Sequence, residues 1–344
     1  QLALLFGSPA ALRNRPLLAE VRQAYPRALL LGCSTAGEIC STQVFDESLV
    51  VTAVRFVNAR VHGVVTPLGG PADSFEAGQR LAEALDHCGL RHVFVLSEGL
   101  RINGSELVSG LTEYLPSHIS VTGGLSADGS RFGETLVLWG DATASDTIAA
   151  VGLYGDSLRV GHGSLGGWDM FGPDRLITRS RGNVLYELDG TSALSLYRRY
   201  LGKYADDLPA SGLLFPLSLA IGCDEERVVR TILAVDEAEA SITFAGDVPE
   251  GAYARLMKAN FDRLVDGAIG AASAGMGELG DGPADLALLI SCVGRKLVLQ
   301  QRVEEEVEGV REVLGEGTVL AGFYSYGEIA PVVPTARCEL HNQT

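Results

Sequence analysis

The sequence predicts an α/β protein: mixed sheets built from duplicated βαβ units, with flanking helices and two related halves. Three observations predict it. Short apolar runs alternate with helical stretches. Three strand–helix–strand segments of roughly 30 to 40 residues recur along the chain. Each leaves its last strand through a similar glycine-rich turn, the mark of internal duplication. Composition agrees: 344 residues, 47% hydrophobic and 20% charged with 42 glycines, suit globular α/β material rather than disorder. A chain of this length has a prior of two domains. The boundary is placed near Gly182–Gly190, giving regions 1–185 and 186–344.

In chain order, apolar Leu2–Phe6 leads into a helix near Ala11–Ala24, with Leu12, Leu17, Leu18 and Val21 on one face, then into Ala28–Leu31. Ser48–Phe56 and Ala59–Thr66 read as a hairpin. Val93–Leu96, a helix near Gly104–Leu115 and Ile119–Thr122 form the second unit. Thr135–Trp139, Asp146–Leu153 and Leu158–His162 read as a meander, so the sheets are expected to be mixed. Gly161–Pro173 is rich in glycine and aromatics with little periodicity. Arg181-Gly-Asn183 reads as a tight turn between Arg175–Ser180 and Val184–Leu188, before a helix near Ser192–Leu201. Leu217–Ile221, Val228–Ala234 and Ser241–Phe244 resume the strand pattern, and a helix is expected near Ala252–Ala272. Leu286–Ile290, a helix near Leu299–Val313 and Thr318–Ala321 make the third unit.

The exits are Gly32-Cys-Ser-Thr-Ala-Gly37-Glu38-Ile39, Gly322-Phe-Tyr-Ser-Tyr-Gly327-Glu328-Ile329 and Gly124-Leu-Ser-Ala-Asp-Gly129, which keeps the glycine spacing. Glycine-rich backbone after a strand exposes N–H groups to a ligand, and ligands in open α/β sheets sit beyond the carboxyl ends of strands. The candidate ligand-binding residues are therefore Ser34, Thr35, Ser126, Tyr324 and Ser325, with Glu38, Asp128 and Glu328 as acceptors. The alternative is that these glycines only make turns and that Glu38 and Glu328 brace duplicated loops. Ser97-Glu-Gly-Leu-Arg101 and Ser291-Cys-Val-Gly-Arg295 follow two further strand ends. Arg101 and Arg295 there either clamp a carboxylate bidentately or serve as solvated or capping residues.

Charge excludes one class of partner. With 43 acidic against 27 basic side chains the formal charge is −16, and no local run of Lys or Arg compensates, so nucleic acid is not expected. Cys33, Cys40, Cys88, Cys223, Cys292 and Cys338 are widely spaced without a C-x-x-C pair, which reads as reduced, mostly buried thiols in the cytoplasm. The N-x-S/T matches at Asn103 and Asn342 are then accidental. No apolar run reaches the roughly 20 residues of a membrane helix, and no signal peptide is evident. The chain starts at Gln1, not Met, and trimmed ends are expected.

Catalytic signatures are sparse. Gly161-His-Gly-Ser-Leu-Gly166 matches the dinucleotide fingerprint as a string, but Gly167-Trp-Asp-Met-Phe-Gly-Pro173 cannot form the helix that must receive the pyrophosphate. The chain has no phosphate-binding G-x-x-x-x-G-K-[ST], no G-x-S-x-G, no zinc spacing and no C-x-x-C-H. No metal site is expected, and the protein is read as a non-enzyme. The competing class is an enzyme using Ser, Glu and Arg in the Gly-loop cleft. A noncovalent haem needs little more than an axial side chain and an apolar cleft, so it leaves almost no trace in a sequence.

Gly32–Ile39, Gly322–Pro331, Phe171-Gly-Pro with Arg181–Gly190, and Cys338-Glu-Leu-His-Asn-Gln-Thr344 resemble the FIST sensory family. The resemblance covers nearly the whole chain, as a FIST N-terminal region followed by a FIST C-terminal region. The middle loop departs from the family pattern, with Ser126 and Ala127 where Ala and Gly are expected. The resemblance implies a small-ligand sensor of bacterial signal transduction, of the free-standing type because the chain has no room for an output domain. Some such members are haem-based nitric-oxide sensors controlling a partner histidine kinase; others are thought to sense amino acids or related metabolites without haem. Carrying over the haem role favours His341, inside a matching motif, as first axial candidate and His162 as second.

Overall fold

The computed structural model describes residues 1–220, 227–280, 282–331 and 338–344. Cys223 and the end of the strand expected at Ile221 lie outside the described residues. The three βαβ units are present as parallel pairs: Leu2–Gly7 with Leu29–Ser34, Leu90–Ser97 with Ser120–Leu125, and Leu286–Cys292 with Val319–Ser325. The first helical stretch breaks into Pro9–Arg13 and Arg15–Ala24. Asn14 sits between them and its Oδ1 accepts from Leu17 N at 3.2 Å, starting the second helix with Pro16 in its first turn. Asn103 similarly caps Gly104–Tyr114 through Ser105 N and Glu106 N. In the third unit the crossover is Val293–Leu299 followed by Val303–Leu314.

The internal relation runs deeper than two halves. Each unit's exit strand joins the sheet of another unit, in a cycle. Glu38–Cys40, leaving the first unit, pairs antiparallel with Val319–Ser325 of the third. Gly327–Pro331, leaving the third, pairs antiparallel with Ser120–Leu125 of the second. Val137–Trp139, following the second, pairs antiparallel with Leu29–Ser34 of the first. Every sheet of the trio is thus mixed, and no unit completes its sheet alone.

Strand register fixes which residues correspond. Gly32 lies opposite Leu5, Gly123 opposite Val95 and Gly322 opposite Leu289. A Cβ at these glycines would come within 2.1, 1.8 and 1.9 Å of the respective carbonyl oxygens, so only glycine fits. The middle turn therefore aligns one residue earlier than its Gly124–Gly129 spacing implies. Thr35, Ser126 and Ser325 become equivalent.

Several expected elements differ. Leu49–Val54 pairs with Leu2–Gly7, whereas Arg60–Pro67 pairs with Thr147–Tyr154 in another sheet, so the expected hairpin is a connection between sheets. Both strands alternate well enough to pair, and long-range partners outcompete the local one. The expected meander divides the same way: Val137–Trp139 pairs with Ala142–Ala144, Thr147–Tyr154 enters the second sheet, and Leu158–His162 is not a strand. Tyr253–Ala259 is a strand and the helix runs Phe261–Leu279, starting at Asn260, whose Oδ1 accepts from Arg263 N.

Trp168–Arg181 through Tyr253–Ala259 build an eight-stranded antiparallel sheet with its own core around Leu185, Tyr197, Ile242 and Phe244. The Arg181–Asn183 turn is there, closing Trp168–Arg181 on Val184–Leu188. The division expected at 185/186 falls within the second of these strands. The glycines of the rejected fingerprint have a packing role: a Cβ at Gly161 or Gly163 would lie 2.0 Å from the oxygen of Gly275 or Ala271 on helix Phe261–Leu279.

Candidate functional site

The glycine turns meet one another. Ala36 N donates to Tyr324 O at 2.8 Å, Ala127 N to Ser34 O at 2.8 Å, and Tyr326 N to Leu125 O at 3.3 Å. Donor and acceptor occupy the same two positions in each turn, so the three exits close a ring, and these amides and carbonyls are committed to one another.

The side chains of the ring are also committed. Glu38 accepts from Thr35 Oγ1 at 2.5 Å and from Ser48 N and Oγ at 3.1 and 2.7 Å. Glu328 repeats this with Ser325 Oγ at 2.6 Å and Thr344 N and Oγ1 at 3.1 and 3.0 Å. Ser34 Oγ accepts from Leu136 N, and Asp128 accepts from Gly133 N, Glu134 N and the Tyr326 hydroxyl. The middle turn has Gly129 where the others have glutamate, and Ser126 Oγ is buried without a partner among the described residues. The bonds of Glu38 and Glu328 are those that bracing glutamates would make. Burial, opposed by these hydrogen bonds and by Lys296, raises the Glu38 pKa; burial likewise lifts Glu328 to about 7 against the same kind of bonds and Arg295.

The hollow lies on the other side of the ring, towards the amino ends of the parallel strands. Side chains two apart on a strand share a face. Leu2, His92 and Leu286 occupy equivalent positions in the three units, as do Leu4, Phe94 and Leu288, and all six line one cavity of about 950 Å³. Helix Phe261–Leu279 supplies a further wall through Ala268, Ala271, Ala272, Gly275, Met276 and Leu279, and Ser157–Leu165 lies beside it. Exposed Arg55, Val57, Asn58 and Arg159 mark the mouth; Arg295, Glu306 and Glu328, all buried, mark the base. A volume in the range of small-molecule pockets, apolar walls and a few convergent polar groups are what a ligand site requires.

At the base, Arg295 Nε and Nη2 donate to Glu306 Oε2 at 3.1 and 2.9 Å, and Nη2 also to Leu264 O at 2.5 Å. Tyr324 Oη and Ser291 Oγ donate to Glu306 Oε1 at 2.6 and 3.1 Å. The carboxylate that meets Arg295 is thus the protein's own Glu306, with both donors converging on one oxygen, Oε2. Arg295 Nη1 is buried and has no partner among the described residues.

Of the residues expected at a ligand site, Arg295, Glu328 and His162 line the cavity. Ser34, Thr35, Glu38, Ser126, Asp128, Tyr324 and Ser325 belong to the ring or its supports, and Arg101 is exposed, outside the cavity lining. His341 is not among the lining residues either. Its Nε2 is 3.0 Å from Ala330 O, and burial lowers its pKa to about 4. The rest of its motif is a strap: Asn342 Nδ2 donates to Tyr326 O, Gln343 Nε2 to Leu213 O and Thr231 Oγ1, and Trp168 Nε1 to Gln343 O. His162 has Nδ1 3.4 Å from Glu278 Oε1.

Sequence reasoning missed Glu306 and His92. His92 Nδ1 and Nε2 each lie 2.8 Å from a hydroxyl, of Ser120 and Thr122, and burial, reinforced by nearby His162, lowers its pKa to about 3. Its signal was available: His92 immediately precedes the apolar run Val93–Leu96, at the position held by Leu2 and Leu286. Five described cysteines are free, with Cys33, Cys292 and Cys338 buried and Cys40 and Cys88 exposed. Among the described residues, no helix is long and apolar enough to cross a membrane, and no cluster of three or more metal-ligating side chains occurs.

No curated protein matches this chain. The family models do: FIST N domain over residues 1–191 and FIST C domain over residues 193–331. FIST domains are sensory domains of signal transduction that take small ligands. The interlocked units of the matched segments enclose the cavity, and the chain belongs to the FIST family.

Proposed function

We propose that this protein senses a small ligand held in the central cavity and reports its presence to a separate signalling protein, such as a histidine kinase. One observation carries the reading: walls from all three units and from helix Phe261–Leu279 meet at the same cavity, so one occupant touches all three units and that helix at once. A ligand transmits a signal only by binding one arrangement better than another, and a shared cavity gives it that leverage. Mass spectrometry under native conditions of the protein as purified tests this. A bound small molecule displaced by Leu288→Trp supports the reading; a ligand unaffected by filling the cavity refutes it.

The non-enzymatic reading has support from the same geometry. Ser325 and Glu328 stand within hydrogen-bond distance, as a nucleophile and base would. Yet Ser325 does not line the cavity, and the other Glu328 oxygen is held by Thr344. Ser291 does line it, but its partner Glu306 is neutralised by Arg295.

Haem is the second reading, and His162 is the observation that favours it. Its Nδ1 lies 3.4 Å from Glu278 Oε1, an oxygen with no hydrogen-bond partner among the described residues; closing that gap would leave Nε2 for a metal, the arrangement by which proteins orient ligating histidines, and the surrounding cavity is apolar and large. His162 would hold the iron and Glu278 would fix the ring, while Arg55 and Arg159 at the mouth suit propionates. Haem bound there would supply an iron able to take nitric oxide. Haem titration gives a Soret band that His162→Gln shifts and His341→Gln leaves alone; the reverse pattern, or no band, refutes it. A metabolite bound without haem is the alternative outcome.

A further inference from the structure

Resting on the central cavity as the ligand site, we propose that its ligand is an uncharged molecule with an apolar body and a carbonyl oxygen, and that Arg295 Nη1 receives this oxygen. Arg295 is 1% exposed and lines the cavity. Its Nε and Nη2 groups are satisfied by Glu306 and Leu264 O, whereas Nη1 is buried and finds no acceptor among the described residues. A guanidinium keeps its charge and all its donors. A buried donor without a partner is costly, and a ligand that supplies the acceptor recovers the loss.

Charge decides which acceptor. Glu306 already balances Arg295, so a carboxylate ligand would add an anion beside Glu306 and Glu328 in a buried base. A cationic head would meet the guanidinium, and the carboxylate oxygens it needs already accept from Tyr324, Ser291, Ser325 and Thr344. A neutral carbonyl oxygen fills Nη1 without adding charge. Above the base, Leu4, Phe94, Leu288 and Ile290 offer only hydrocarbon.

The test uses the full chain and four probes of one chain length: 2-octanone, octanoate, octylamine and octane, measured by calorimetric titration. The expected order places 2-octanone about tenfold or more ahead of the others. The variant Arg295→Met/Glu306→Leu removes both charges together, leaving neither uncompensated. It is expected to bind 2-octanone and octane alike. Equal binding of all four probes to the wild-type protein, or a preference for octanoate or octylamine, overturns the head-group assignment and leaves the cavity as a ligand site. Failure of all four to bind overturns the cavity reading itself.

Discussion

Replacing Glu328 by Gln should remove a pH dependence of stability whose size follows from its burial. Glu328 is fully enclosed between the ring and the cavity base, and its carboxyl is raised from 4.5 to about 7, chiefly by burial. In the unfolded chain it returns to the ordinary value. Between those two values the folded protein holds a proton that the unfolded chain has released. The stability this group contributes is therefore complete below about 4.5 and is lost as pH rises through about 7. The interval, at about 1.36 kcal/mol per pH unit, makes about 3 kcal/mol. Gln mimics the protonated side chain: its oxygen accepts from Thr344, and its amide donates to the Ser325 hydroxyl, which can rotate to accept. Urea denaturation of both proteins from pH 4.5 to 8.5 reads the difference. The two should be nearly equal at the acid end, and the variant ahead by about 3 kcal/mol at the alkaline end. Glu38 and Glu98, whose pKa values burial also raises, contribute equally to both proteins and cancel. Parallel curves would refute the reasoning.

Gly322→Ala would place a Cβ 1.9 Å from Leu289 O, backbone that cannot yield, and should cost about 3 kcal/mol or more. Gly317→Ala, with nothing within 4 Å, is the control and should change the denaturation midpoint little. The amides of Ala36, Ala127 and Tyr326, which close the ring, should show hydrogen-exchange protection within about tenfold of one another. Protection confined to one of them would mean that the units open independently. Tyr324→Phe removes a hydrogen bond to the buried Glu306 and should destabilise by about 1 to 3 kcal/mol; an unchanged thermal midpoint would show that this bond is idle.

Much of the fold was legible because its signals are local. Apolar runs of strand length and glycine turns at a fixed spacing mark the three units without knowledge of their partners; the caps Asn14 and Asn103 show only in the structure. Misplaced pairings arose where partners are distant: nothing near Leu49–Val54 announces that it joins Leu2–Gly7 and turns away from Arg60–Pro67. The repeat was visible, but Gly123 and Gly124 compete for the same place in it, and only the approach to Val95 O selects Gly123.

The candidate site divides along the same line. By itself the sequence determined which residues carry polar chemistry after each strand, because turn glycines, hydroxyls and glutamates recur in phase. Only the tertiary structure decided that most of them satisfy one another. Three turns that each lack partners when alone close into a ring when the units interlock, and the amides that join the ring are no longer free for a guest. The vacancy is displaced to the opposite side, where equivalent apolar side chains from three sheets converge without filling the space between them. Convergence of this kind depends on where the strands of distant segments lie, and no spacing along the chain encodes it.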